Sequence, residues 1–400
     1  MSMYRILIIL LLAGFTTSCH DSWHRDLSKQ ERQLVRKALR KADDNKKELK
    51  IALKDASHDE KQAMAFLIGY MPERDLKCLS AEFLMKNVDK AFQARDKFKW
   101  CAALPDSIFY NDVLPYAVLS EKRQCWREDF YNWFEPLVKK APNIRAAIDS
   151  VNLHVKDVLK VEYNTKRKKV DQAPYESIQQ GMATCTGLSI LLVDAFRSVG
   201  IPARIAGTPM WTNMRGNHTW VEVWIDGKWY FTEYYMDALN KSWFLADAGK
   251  ADPEQPEHRI YATSYKPTGM VYPLVWDEQA TYVHGVDVTQ RYIDLYRKQM
   301  ANKQLEKDEL WVRVVLLKDP KAPEDDSNNR VHEKITVTHD GEQVDFGFSP
   351  SPTDDMNRLL PFRLKKETTY QFEYMGKDST LKKKTLTTGT SDQEMLRLYM

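Results

Sequence analysis

The sequence predicts an α+β protein in three parts: a helical region, a mixed core of an apolar helix followed by a hairpin, and a terminal all-β module. Three observations predict it. Apolar residues recur at helical spacing behind capping signals in the first part of the chain. A cysteine then opens an apolar helix at position 185, and Asp226-Gly227 joins two alternating runs just downstream. From Trp311 onward, short alternating segments replace the helical pattern.

Residues 1–19 carry Arg5, an apolar run from Ile6 to Phe15, and then Thr16-Thr17-Ser18-Cys19. This is the layout of a signal peptide, whose apolar stretch usually runs about 7 to 15 residues, and it is too short to span a bilayer. A cysteine directly after small residues resembles a bacterial lipoprotein box. The resemblance implies lipidation at Cys19, export to the cell envelope and anchoring to a membrane, although Thr16 stands where that box usually has Leu.

Residues 24–155 read as helical. Ser28-Lys-Gln-Glu31 and Ser57-His-Asp-Glu60 both fit a capping box, and Leu34, Val35, Ala38, Leu39 and Ala42 form a stripe behind the first. A further helix is expected around Leu79 to Phe98, and another in the aromatic segment Trp126 to Trp133. Trp100, Phe109, Tyr110, Trp126, Tyr131 and Trp133 are expected in the core, with lining of a substrate groove as the alternative.

The core, residues 156–300, holds the candidate chemistry. Leu188, Leu191, Leu192, Ala195, Phe196 and Val199 share one helical face, and Gly200 then Pro202 stop the helix, so Cys185 lies in its first turn. Unpaired N–H groups and the positive end of the macrodipole favour negative charge at such a position, as a thiolate nucleophile requires. His218 opens the first strand of the hairpin. If Ile225 pairs with Lys228, Trp220 lies opposite Glu233 and His218 opposite Tyr235, which makes Glu233 a diagonal neighbour of His218 at roughly 7 Å between Cβ atoms. The aliphatic face of the hairpin, with Val221, Val223 and Ile225, is expected to be the core side. Asp237 is the alternative carboxylate if the strand runs further. Either would hold one imidazole tautomer. The Cys185 N–H is a natural oxyanion donor, and Gln179 or Gln180 could add a side-chain amide. Trp220 is expected to shield the histidine from water.

These pieces resemble the transglutaminase-like superfamily, which has a papain-like cysteine core: the Cys185 helix, Gly200-Ile-Pro-Ala-Arg204 with Ile205-Ala-Gly207, the strand His218-Thr-Trp-Val-Glu-Val-Trp224, and Asp226-Gly-Lys-Trp229. The resemblance implies Cys185 as nucleophile, His218 as general base and Glu233 as third member, acting on amide bonds of protein or peptide through a thioester. Hydrolysis is expected ahead of transfer to an amine, and a surface-binding protein on an inactive scaffold is the non-enzyme alternative. The family usually has Asp in a D-P-T-like turn where this chain reads Glu233-Tyr-Tyr-Met.

Beyond the core, a strand-like stretch is expected near Val271 to Val288 and a helix from about Gln290 to Gln304. Residues 305–400 read as a β-sandwich, with strands at Trp311–Leu317, Ile335–His339, Val344–Phe348, Tyr370–Tyr374 and near Leu386. Net charge is +3, from 59 basic and 56 acidic residues, which gives no pull toward nucleic acid. The lysine-rich runs at 165–169 and around Lys382 are expected to be solvated loops. Histidines lack metal-ligand spacing, so no metal and no cofactor is expected. His284 is expected to hold a strand end, with approach to the site as the alternative. Among Cys78, Cys101 and Cys125 at most one bridge could form.

Overall fold

A computed structural model describes residues 22–235, 238–300, 306–378 and 380–400. Residues 1–21, which include Cys19 and the stretch read as a signal peptide, and Asp237 lie outside the described residues.

The first capping box forms as read. Ser28 Oγ accepts from the Glu31 N–H at 3.2 Å, Glu31 Oε2 accepts from the Ser28 N–H at 2.6 Å, and the helix Lys29–Lys41 buries Val35, Ala38 and Leu39. The second differs. Ser57 gives both its N–H and its hydroxyl to Glu60, and the helix begins only at Lys61, so the serine closes a turn ahead of the helix rather than capping it. Lys46–Asp55, Ala81–Lys97, Arg127–Val138 and Ile144–Leu159 are the other long helices of the region. Phe109, Trp126 and Tyr131 are buried, whereas Trp133 is exposed.

The helix Cys185–Ser198 lies against a five-stranded antiparallel sheet in the order Lys228–Thr232, His218–Ile225, Ala203–Thr208, Tyr261–Ser264, His284–Asp287. The hairpin register is the expected one, Ile225 opposite Lys228, and Asp226 and Gly227 both take positive φ, 47° and 85°, the requirement of a twist-matched two-residue turn. Two expectations fail. The strand ends at Thr232, because the chain folds back: Asn240 accepts from the Phe231 N–H through Oδ1 and donates its own N–H to the Phe231 carbonyl, both at 2.9 Å. Pairing of Trp220 with Glu233 and of His218 with Tyr235 is therefore absent, and His218 pairs with Thr208 on its other side. Nor is the aliphatic face the only core side. Val221, Val223 and Ile225 do join the main core, but Trp220 and Phe231 are equally buried in a second cluster with Trp211, Phe244 and Tyr292. The segments around Phe244 and the helix Thr289–Met300 cover that face.

This second cluster encloses a charged network. Trp220 Nε1 donates to the Tyr292 hydroxyl and that hydroxyl to Glu222 Oε1, each at 2.6 Å, while Arg204 Nε donates to Glu222 Oε2 at 2.9 Å. A carboxylate with no exposure is tolerated there because both its oxygens are engaged. Of the expected strand from Val271 to Val288 only His284–Asp287 forms; Val271 makes an isolated bridge to His284, and Pro273 removes a ladder donor in the irregular chain between.

Residues 306–400 form two sheets. One has the order Glu342–Phe348, Lys334–His339, Thr369–Met375, Leu381–Thr387, and the other Leu360–Lys365, Glu309–Leu317, Gln393–Tyr399. Val312, Val314, Ile335, Val337, Phe362, Phe372 and Leu398 from both sheets fill one core. The lysine-rich run around Lys382 is a strand of the first sheet, not a loop. Two strands were not anticipated. Leu360–Lys365 contains Pro361, which its edge position allows. Gln393–Tyr399 is rich in helix formers but pairs in parallel with Glu309–Leu317, where Leu396 and Leu398 gain burial. Cys78, Cys101, Cys125 and Cys185 are free. Among the described residues no helix is long and apolar enough to cross a membrane.

Candidate active site

Cys185 is the first residue of its helix because Thr184 caps it, Oγ1 accepting from the Gly187 N–H at 3.1 Å. The turn before it is built by Gln172, fully buried, whose Nε2 donates to the Met182 carbonyl at 2.9 Å and whose Oε1 accepts from the Lys168 N–H at 3.0 Å. Thr186 and Ser189 then bond the hydroxyl and carbonyl of Thr219, which fixes the helix start beside the strand that carries His218. The Cys185 thiol is half-buried and the His218 ring is buried.

Glu233 reaches His218 although it lies just beyond the strand. Its Oε1 is 3.0 Å from His218 Nε2, and its Oε2 accepts from the Ser242 hydroxyl. The backbone is pinned as well, since the Glu233 carbonyl accepts from Asn152 Nδ2 at 2.9 Å. A carboxylate only accepts, so Nε2 carries the proton and Nδ1 faces the other way. On that side lie Cys185 and a residue the sequence did not point to, Asp355. One ligating atom from each of Cys185, His218 and Asp355 fits within 4.8 Å of the others, and Asp355 Oδ2 stands 3.3 Å from Nδ1, as an ion pair rather than a well-aligned hydrogen bond.

The charges respond to this arrangement. Burial alone would pull the His218 imidazole down, but the Asp355 charge, with Cys185 and Glu233 beside the ring, raises it well above its ordinary value. Burial pushes the Asp355 carboxyl up, and the His218 charge outweighs this and brings it below the usual carboxylate range. Trp211, Trp220, Trp243 and Phe244 surround the imidazole, at ring separations from 4.8 Å for Trp243 to 6.3 Å for Trp211. Trp220 is fully buried and lies 5.6 Å from the histidine ring. The Trp211 indole N–H is buried without a partner among the described residues.

The other sequence candidates sit differently. Gln180 spends its amide on the Lys168 N–H and the Glu176 carbonyl, so it is not turned toward the thiol, and Gln179 is exposed on the helix Pro174–Gln180. Left-handed Gly181 turns the chain directly after them. His284 pairs with Ser264 at the sheet edge. Asp355, Ser242 and Trp211 carried no signal, because each comes to the His218–Glu233 pair from a different part of the chain.

Residues 132–234 match the Transglutaminase-like superfamily. The chain carries a transglutaminase-like domain. Twenty-eight solved chains are similar in structure. One, a candidate cysteine protease from Cytophaga hutchinsonii, is 18% identical with a TM-score of 0.28, over 35% of this chain and 45% of that one. The chain thus spans under half the length of that relative. No curated protein sequence matches. The domain match includes Cys185, His218 and Glu233, and leaves Asp355 outside.

Proposed function

We propose that the chain is a cysteine hydrolase of amide bonds in protein or peptide, with Cys185 as nucleophile, His218 as base and Glu233 as the residue that sets the histidine tautomer. The observation that carries this is the histidine with one ring nitrogen on a fixed carboxylate and the other toward a half-buried cysteine at a helix start. In the reaction, Sγ gives its proton to Nδ1 and attacks the carbonyl carbon. The leaving amine takes that proton as the C–N bond breaks, and a thioester remains. Water then gives a proton to Nδ1 and attacks the thioester, and Sγ leaves and recovers the proton. The Cys185 N–H, which has no intrahelical acceptor, supplies an oxyanion donor, and the aromatic ring around His218 keeps bulk water from the base. Digestion of a peptide mixture in heavy-oxygen water with an added primary amine tests the outcome: hydrolysis puts heavy oxygen in new carboxyl ends, whereas amine incorporation instead would make the chain a protein-glutamine acyltransferase, and neither product would favour a binding protein on the same scaffold.

Glu233→Gln presents an amide that can donate to Nε2 and so force the proton onto Nδ1, the wrong tautomer; activity should fall about 100-fold or more. Asp237→Asn should have a weak effect. The opposite ranking in the same peptide assay would transfer the role to Asp237.

The protein is further proposed to work outside the cytoplasm, lipid-anchored through Cys19 and without nucleic acid as partner, with the β-module as a sandwich domain. The apolar run from Ile6 to Phe15, with Cys19 following it, and the balanced net charge support this. The full chain should partition into detergent and take up a labelled fatty acid, since each buried CH₂ adds about 0.8 kcal/mol of membrane affinity. Cys19→Ser should abolish the label, and an unlabelled wild type cut near Cys19 would leave secretion without an anchor.

A further inference from the structure

The β-module reaches into the active site. Its loop 349–359 joins the strands Glu342–Phe348 and Leu360–Lys365, and this loop carries Asp355. On the module side the loop is held by Arg330, 2% exposed, whose guanidinium donates to the carbonyls of Asp355 at 2.7 Å, Met356 at 2.6 Å and Arg358 at 3.1 Å. On the catalytic side three bonds seat it next to His218. Asn357 Nδ2 donates to the Asn217 carbonyl at 2.8 Å, Arg215 to the Asn357 carbonyl at 3.0 Å, and the Met356 N–H to the Tyr163 hydroxyl at 3.3 Å. A second seam beside it, where Ser327 and Thr165 exchange backbone and hydroxyl bonds, docks the 165–169 run on the same module. Asp355 itself is turned by the Asn357 N–H, which donates to its Oδ1 at 2.8 Å, leaving Oδ2 for the histidine.

This placement conflicts with turnover. Nδ1 must meet the cysteine with a free lone pair to take its proton, and it is buried with no other polar partner among the described residues. A carboxylate at Nδ1 requires that nitrogen to carry a proton, as Glu233 already requires of Nε2. His218 is then an imidazolium clamped at both edges, with its Nδ1 proton directed to Asp355 instead of being shared with Sγ. The carboxylate also stands within 4.8 Å of Sγ.

We propose that the 349–359 loop is a gate on the catalytic cysteine: with Asp355 seated at His218 Nδ1 the site is closed, and activity requires the loop to withdraw. The inference rests on the cysteine-hydrolase reading of Cys185 and His218. Withdrawal has room, because a cleft of about 520 Å³ lined by Arg215, Arg330, Met356 and Asn357 among others lies beside the loop. On the catalytic side the contacts that must break for it are polar apart from the partly buried Met356.

The test is the rate at which iodoacetamide alkylates Cys185 in the full chain, followed by mass spectrometry in the presence of a chelator, with exposed Cys78 and Cys125 as internal standards. Asp355→Ala should raise the rate about 10-fold to 1000-fold, the inverse of an open-state population of about 0.1–10%. Asn357→Ala keeps the carboxylate and loosens its seat, so it should raise the rate as well, and it guards against a folding defect in the first variant. The gain should vanish in Asp355→Ala combined with His218→Ala. A Cys185 rate at or below wild type in both single variants would overturn the gate and make Asp355 part of the working site. Peptide cleavage separates this from the function itself. Faster alkylation without cleavage in any variant would keep the gate and reject the hydrolase, whereas equal cleavage by wild type and both variants would reject the gate and keep the hydrolase.

Discussion

Cys185→Ala is expected to lower peptide hydrolysis by at least about 10⁴-fold, because without a nucleophile only binding and the oxyanion donors remain to accelerate the reaction. The comparison should be made in wild type and in Asp355→Ala, so that a closed gate does not hide the loss. Stability should change by less than about 1 kcal/mol: the thiol is half-buried, alanine suits the first turn of a helix, and the Thr184 cap and the Thr186 and Ser189 bonds to Thr219 are untouched. Heavy-oxygen incorporation into new carboxyl ends at an undiminished rate in the variant would remove Cys185 from the chemistry.

His218→Ala should slow acylation by about 100-fold or more, the ordinary range for a lost general base. The effect has a structural signature besides the rate. The imidazolium separates two carboxylates, Glu233 and Asp355, and its removal leaves them facing a cavity without a cation between them. The 349–359 loop should then lose its grip, and amide hydrogen exchange in that loop should quicken relative to wild type. A variant with full cleavage activity would place the base elsewhere, and one with an unchanged loop would mean that Asn357 and Arg215 alone seat it.

Much of the site was legible in the sequence, for reasons that are local. Helix start, cap and apolar face around Cys185 lie within about four turns of chain, and the Asp226-Gly227 turn fixes the register of its hairpin by backbone geometry alone. Burial of Trp220 followed less directly, since alternation predicts two faces without saying that both are covered; Phe244 and Tyr292, far along the chain, cover the second. Glu233 was found through a pairing that does not form. It reaches His218 because Asn240 folds the chain back and Ser242 takes its second oxygen. The two strands that were not anticipated have equally specific causes. Pro361 suits an edge strand, and whether a strand lies at an edge is decided by sheet order, while Gln393–Tyr399 is a strand only because Glu309–Leu317 offers it a parallel partner.

By itself the sequence determined which residue types could do acyl chemistry and in what chain order: a cysteine at a helix start, then a histidine on a strand, then a carboxylate. Periodicity, caps and turns act over a few residues and leave their record in consecutive letters. Only the tertiary structure decided what else meets the histidine. Asp355 is 137 positions beyond His218 in the chain numbering, in a module with its own core. It arrives through bonds to the backbone of Asp355, Met356, Asn217 and Asn357, groups that every residue carries, so no pattern of side chains could announce it.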